Sequence, residues 1–360
     1  MSGAWPGVVE RYRPYLDLPD GARAVTLLEG GTPLVEAGAL VGPDGPQVWL
    51  KLESMNPTGS FKDRGMTVAV TAAVAAGARL VVCASTGNTA ASAAAYAARA
   101  GLACAVLLPA GGVAAGKLLQ ARVAGALALT LGGSFDEALA LVQAVAAAHP
   151  EVALVNSVNP LRLEGQKTAA FEVVEALGGA PDALVLPVGN AGNISAYHKG
   201  FVEARGHGWS DATPRLYGVQ AAGASPLVDG GEVDRPQTVA SAIRIGRPAS
   251  AHLARAAVAQ TGGAFLKVTD DEILAAHREL PRRLGVFAEP ASAASVAGLW
   301  SLVQAGTLGA RDRVVCVITG HGLKDPDTAL AGIQAQASPS VTVPAERAAV
   351  EDALLGALVR

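Results

Sequence analysis

From residue 48 to residue 318 the chain alternates short apolar runs with helix-length stretches, and this alternation restricts the available folds more than any other feature. The runs are 48–52, 80–84, 103–108, 127–131, 152–155, 183–188, 216–220, 265–268 and 313–318. Most are apolar throughout, as strands are when helices cover both faces of their sheet. Strand, helix, strand, helix predicts an α/β chain of parallel twisted sheets flanked by helices and joined by right-handed crossovers. So many runs suit two sheets better than one.

A chain of 360 residues has room for two domains and a large core. Apolar residues make up 51 % of it, yet no unbroken run approaches the roughly 18 to 20 residues of a membrane helix. Residues 1–10 lack a basic flank followed by an apolar core, so no secretory signal is expected and a cytoplasmic protein is. The net charge of −3 is spread without blocks and aromatics are only 4 %, which argues against nucleic acid as a partner. Cys83, Cys104 and Cys316 lie inside apolar runs and are expected to be small buried hydrophobes, with no disulfide framework. The histidines show no metal-ligand spacing, so no metal is expected. Residues 1–25, with prolines and scattered charge, are expected to wrap the surface. A last helix over 344–358, with Val350, Leu354, Leu355 and Leu358 on one face, reads as plain packing.

Lys62 sits between the run 48–52 and an Ala- and Val-rich helical stretch, 66–76. In Asn56-Pro57-Thr58-Gly59-Ser60-Phe61-Lys62-Asp63-Arg64-Gly65 the first four residues are turn formers, and Ser60 is suited to cap the helix. Lys62 then lies in a first turn, where the positive end of the helix dipole disfavours an ammonium and favours an amine able to form an imine. The junction alone also accommodates a solvated surface lysine.

Other stretches fall at strand ends, where open α/β sheets bind ligands. Ser85-Thr86-Gly87-Asn88-Thr89 suits a carboxylate, or an ordinary capped helix. Gly189-Asn190-Ala191-Gly192-Asn193 allows the backbone to wrap an anion, or simply to turn. The stretch from Asn156 and Ser157 through Arg162 to Glu164-Gly165-Gln166-Lys167-Thr168 joins amides, a hydroxyl and a guanidinium, chemistry for a phosphate or for a capped helix with Arg162 exposed. Gly111-x-x-x-x-Gly116-Lys117 matches most of a nucleotide-binding P-loop, but Leu118 stands where a magnesium-binding hydroxyl is needed, so no nucleotide is expected.

The ten residues from Asn56 to Gly65 resemble the lysine motif of the pyridoxal phosphate enzymes related to the tryptophan synthase β-subunit, and Lys62-Asp63-Arg64-Gly65 is similar to the form found in the threonine synthases. Gly31-Thr32-Pro33-Leu34, the 85–89 loop, the 156–168 stretch, the 189–193 loop and Thr319-Gly320-His321-Gly322-Leu323-Lys324-Asp325 also match, in family order, over about 26–330. The resemblance implies pyridoxal 5'-phosphate held by Lys62 as a Schiff base, with Lys62 the catalytic base. It implies that Asn88 meets the cofactor's phenolic oxygen, that Gly189, Asn190, Ala191, Gly192 and Asn193 cradle its phosphate, and that Thr319 meets the ring nitrogen. Ser85, Thr86 and Thr89 would take the substrate carboxylate, and Asn156, Ser157 and Arg162 a substrate phosphate, with Asn190 as a helper. The implied reaction converts O-phospho-L-homoserine and water to L-threonine and phosphate. A serine or threonine dehydratase of the same fold is the competing enzyme, and a silent binding protein the competing class. The implied organisation is a larger cofactor-binding domain, 1–60 with 152–340, a smaller mobile domain, 61–151, a tail at 341–360, a cleft between the domains, and a homodimer. His321 departs from the family's usual asparagine, either shaping the turn or altering the site's response to pH.

Overall fold

The computed structural model describes residues 3–85, 87–109, 115–132, 135–156, 159–335 and 342–357. The first elements are helix α1 (Val8–Tyr12), strands β1 (Leu34–Glu36) and β2 (Gln47–Lys51), and helix α2 (Lys62–Ala75). Next come β3 (Leu80–Ala84), α3 (Asn88–Ala100), β4 (Ala103–Pro109), α4 (Ala115–Val123), β5 (Leu127–Leu131), α5 (Phe135–Ala148) and β6 (Val152–Leu154). The chain goes on through α6 (Pro160–Leu177), β7 (Ala183–Pro187), α7 (Gly192–Gly206), β8 (Arg215–Ala221), α8 (Pro226–Asp229), α9 (Ala251–Thr261) and β9 (Ala264–Val268). It closes with α10 (Asp270–Leu284), α11 (Pro290–Gln304), β10 (Arg313–Val317), α12 (Pro326–Ala335) and α13 (Arg347–Ala357).

Every apolar run of the sequence overlaps a strand, and the strands make two sheets. One is six-stranded, in the order β1-β2-β10-β7-β8-β9, and the other four-stranded, in the order β5-β4-β3-β6. All neighbours are parallel except β1 and β2, whose short connection lets the chain turn straight back. β7 is buried at every position, as a central strand covered on both faces must be. β5 is an edge strand instead, with Leu127 59 % and Leu129 39 % exposed, so helices do not cover it as its apolar sequence suggests. β6 pairs with β3, so a boundary at 151 parts this strand from the sheet it belongs to.

Residues 1–326 form one compact unit and residues 327–360 a second. In the first unit the N-terminal segment is part of the core, not a surface wrap: Val8, Val9 and Tyr12 of α1 are buried in a cluster with Phe171 and Phe201. In the second, the helix starts at Arg347, and Leu354 and Leu355 are 65 % and 60 % exposed, contrary to the packing expected of this face; Leu358 lies outside the described residues.

Helices α2, α6 and α7 pack backbone against backbone. A Cβ on Gly165 would overlap the Arg64 carbonyl oxygen, one on Gly65 would lie 2.6 Å from that of Arg162, and one on Gly200 would overlap that of Lys167. Contacts this close exclude any side chain on the touching face. They bring the first turn of α2, with Lys62, against the first turn of α6, with Arg162. A Cβ on Gly192, at the start of α7, would be in ordinary contact with Leu163, 3.7 Å away. Helix N-termini therefore converge, and their aligned dipoles make the region attractive to anions.

Candidate active site

The lysine loop is held by the segment that follows β10. The Phe61 N–H donates to the Thr319 carbonyl at 3.0 Å, the His321 N–H donates to Gly59 at 2.9 Å, and Ser60 bridges Gly320. Phe61 occupies the N-cap position of α2, and the Ser60 hydroxyl is buried with no partner among the described residues, so Ser60 does not cap the helix. Asp63 closes the turn from inside: its carboxylate accepts from the Thr58 N–H at 2.7 Å, the Thr58 hydroxyl at 2.6 Å and the Ser92 hydroxyl at 2.6 Å. Burial pushes Asp63 up to about 6, against the pull of these donors and of Lys324. Lys62 is lowered to about 7, first by burial and then by the Arg162 charge, with Glu289 acting the other way. Burial and the neighbouring guanidinium thus join the helix dipole argued from sequence in favouring the neutral amine. The Phe61 ring lies 4.2 Å from Nζ and favours the ammonium, without reversing the balance.

Beside Lys62, Arg64 anchors a buried network. Its guanidinium donates to Glu53 at 2.6 and 2.7 Å, to Glu172 at 2.6 and 2.7 Å, and to the Thr168 and Thr32 hydroxyls. Lys51 reaches Glu172 at 2.6 Å and the Thr32 carbonyl at 2.7 Å. Two cations thus face two carboxylates, and the Gly31 and Thr32 N–H groups complete Glu172. That is the work of Gly31-Thr32-Pro33-Leu34: it ties the entry to β1 onto the helices that carry Lys62 and Arg162.

The 85–89 loop leads into α3, whose N-cap Gly87 provides no side-chain bond, leaving first-turn N–H groups uncapped. Ser85, Asn88 and Thr89 are partly buried, and Asn88 donates to both oxygens of Glu289, at 3.3 and 3.2 Å. Asn156 uses its amide on Ala84, accepting from its N–H and donating to its carbonyl at 2.9 Å each, which ties two loops together. Thr86 and Ser157 lie outside the described residues, as does most of the P-loop-like stretch from Gly111. Arg162 is fully buried, not exposed; Nη1 donates to the Val155 carbonyl at 2.9 Å, while Nε and Nη2 have no partner among the described residues. Burial lowers its pKa to about 10.

In the 189–193 loop Ala191 adopts a left-handed conformation (φ 66°), which helps successive N–H groups converge at the uncapped start of α7. Asn193 Nδ2 is buried without a partner among the described residues, and the Asn190 carbonyl accepts from Ser250. Thr319 is buried with its hydroxyl 2.9 Å from that of Ser292. Ser292 accepts from the Gly320 N–H at 2.8 Å, so its own proton is available to Thr319 or to the Gly320 carbonyl. His321 shapes the turn: its Nδ1 accepts from the Leu323 N–H at 3.2 Å, the bond an asparagine oxygen would make.

A family model described as pyridoxal-phosphate dependent enzyme matches residues 25–320. The chain belongs to that family. A threonine synthase of Mycobacterium leprae (strain TN) is 56 % identical to it over 351 residues, 97 % of this chain and 96 % of its own length. One from Synechocystis sp. is 55 % identical over 329 residues, covering 91 % and 85 %. Among solved structures, maize serine racemase superposes with a TM-score of 0.73 at 19 % identity, over 91 % of this chain and 95 % of its own, a likeness of fold alone.

The site residues fit the family's cofactor. An amine lowered to about 7, an orphaned buried amide on a loop with converging N–H groups, and a buried hydroxyl at a strand end are what an aldehyde, a phosphate and a ring nitrogen require. The three cysteines are free and buried, as expected, and burial pushes Cys83 up to about 12 and Cys104 to about 11. Among the described residues no group of His, Cys, Asp and Glu is placed to hold a metal ion, and no helix is long and apolar enough to cross a membrane.

The sequence reading missed Glu289, Ser292 and the partners of Arg64. Glu289 precedes Pro290 at the N-cap of α11 yet makes no capping bond, the one local sign that its carboxylate is used elsewhere.

Proposed function

We infer that the chain carries out the threonine synthase reaction, a pyridoxal phosphate-dependent lyase reaction that turns O-phospho-L-homoserine and water into L-threonine and phosphate. The observation that carries this reading over a dehydratase is Arg162, a wholly buried guanidinium acting on Lys62 with two nitrogens unmatched among the described residues. Leaving such donors unpaired is costly unless an anion completes them. A substrate phosphate would do so.

When bound, the cofactor supplies an electron sink for the carbon that carries the substrate amine. Lys62 serves as the base at that carbon and, like the substrate phosphate, as a candidate for the later proton transfers; a neutral amine near pH 7 suits the role. Ser85, Thr86 and Thr89, with the uncapped N–H groups of α3, take the substrate carboxylate. Arg162, Ser157 and Asn190 take the phosphate, while Asn156 holds the loop against Ala84. Anchoring both ends of the substrate fixes which carbon faces Lys62. The 189–193 loop and Asn193 receive the cofactor phosphate, and Thr319, backed by Ser292, its ring nitrogen. The four-stranded sheet with its helices acts as the smaller, mobile part, and the enzyme works as a cytoplasmic homodimer. Light scattering in solution checks the subunit number.

Arg162→Ala is expected to raise KM for O-phosphohomoserine roughly ten- to hundred-fold, the loss of a charge-assisted bond, with a much smaller effect on cofactor affinity. Steady-state kinetics beside a cofactor titration separates the two. Covalent capture of pyridoxal phosphate by cofactor-free protein needs the neutral amine, so its rate should rise with pH through about 7 and level off above it. A stopped-flow profile still climbing towards pH 10 would show an unperturbed lysine. The reaction itself is tested by phosphate release from O-phosphohomoserine against ammonia and ketoacid formation from threonine. Dominant ketoacid formation would favour the dehydratase.

A further inference from the structure

We propose that Glu289 is a positioning residue of this site, a carboxylate that fixes the orientation of the Asn88 amide so that Asn88 presents an N–H, not its oxygen, to the cofactor's phenolic oxygen. The proposal rests on the reading in which Asn88 meets that oxygen.

Glu289 is 4 % exposed, and its carboxylate lies against Gly320, where a Cβ would run into Oε1. It therefore sits between Thr319-Gly320 on one side and the start of α3 on the other. Among the described residues its carboxylate accepts hydrogen bonds from Asn88 alone, at 3.3 and 3.2 Å. Although Glu289 is at an N-cap, its side chain makes no capping bond to its own helix. A carboxylate taken out of water with a single neutral donor is costly, so its position calls for a role beyond packing.

An asparagine amide has two orientations half a turn apart, nearly equal in shape and opposite in hydrogen bonding. An ionised carboxylate only accepts, so it draws the nitrogen towards itself. The second N–H of that nitrogen is left for the phenolic oxygen. A protonated carboxyl would donate to Oδ1 and reverse the amide. Burial brings Glu289 up to about 7; Asn88 from α3, Lys62 from α2 and Lys324 from the loop after β10 favour the ionised form, and Asp325 opposes it. Loss of the proton near neutral pH would therefore set the donor in place.

The test uses full-length cofactor-free protein and measures the Kd of pyridoxal phosphate for wild type, Glu289→Leu, Glu289→Gln, Asn88→Ala and the Glu289→Leu/Asn88→Ala double variant, with thermal melts as folding controls. Glu289→Leu and Asn88→Ala should each weaken binding roughly ten-fold, with the double variant no weaker than the weaker single, because both remove one interaction. Glu289→Gln, whose oxygen can still accept, should bind within about three-fold of wild type, a loss well below that of one charged hydrogen bond. The absorbance of the bound cofactor should change through pH about 7 in wild type and not in Glu289→Gln. Wild-type affinity in Glu289→Leu, or additive losses in the double variant, would overturn the inference. So would a pH response kept by Glu289→Gln. Failure of wild type to bind the cofactor at all would overturn the functional reading instead, and this inference with it.

Discussion

Lys62→Ala should lower turnover by at least roughly ten-thousand-fold, since one side chain both holds the cofactor and moves the proton. The melting temperature of the cofactor-free protein should stay near that of wild type. The reason is the environment of Nζ: burial and the Arg162 charge lower the amine to about 7, and an amine whose pKa falls on folding opposes the folded state at neutral pH, so removing it takes away a cost that offsets the lost packing of its stem. The loop does not need it either, because Asp63, Thr58 and Ser92 close the turn and Thr319 and Gly59 hold it from outside. Phosphate release and thermal melts measure the two halves of the prediction. Turnover like wild type would contradict the role of Lys62, and a collapsed fold would contradict the account of the loop.

Two residues along, Arg64→Met is expected to destabilise the protein by about 3 to 5 kcal/mol, the cost of leaving buried charges without their partner. Glu53 would lose its only cation among the described residues, and Glu172 would keep Lys51 alone. The damage would spread to the site, since the same network joins 31–32, α2 and α6. Replacing the whole network by apolar groups is a different experiment and need not cost stability. The pH dependence follows from Glu172. Its own burial works against ionisation, but Arg64 and Lys51 outweigh it and hold the group at about 2, below the ordinary value of 4.5. A depressed acid contributes stability that is present above its unfolded pKa and is lost as pH falls through its folded one. Acid unfolding should therefore retain this contribution down to about pH 4.5 and lose it towards about pH 2. In Arg64→Met the loss should begin at higher pH. Denaturant midpoints at pH 7 and along an acid series would show both effects.

The sheets were legible because a parallel strand buried on both faces must be apolar, and runs such as 183–188 and, after Arg313, 314–318 are. β1 was legible only as an extended segment behind the turn at 28–34, because Leu34-Val35-Glu36 is too short to show a period and pairs only once the chain has folded back. β5 misled in the other direction: its residues suit a covered strand, but its place at the sheet edge decides their exposure. Lys62, Asn88, Arg162, the 189–193 loop and Thr319 could be named because each stands in a local motif at a strand end. Glu289 could not, because nothing in its own stretch places Asn88 or Gly320 beside it. The partners of Arg64 are equally remote, Glu172 standing far along the chain on α6. Ser60 shows the opposite failure, where a good local rule for capping yields to a tertiary contact, the bridge to Gly320.

Borohydride reduction of the holoenzyme, followed by proteolysis and mass mapping of the pyridoxyl group, tests the central claim most directly. The account predicts the adduct on the peptide that contains Lys62, with loss of colour and activity in step. Lys324 is the informative alternative: it is partly buried, and that burial lowers its pKa against the opposing charges of Asp63 and Glu289. An adduct on Lys324, or on any lysine other than Lys62, would contradict the assignment of the site.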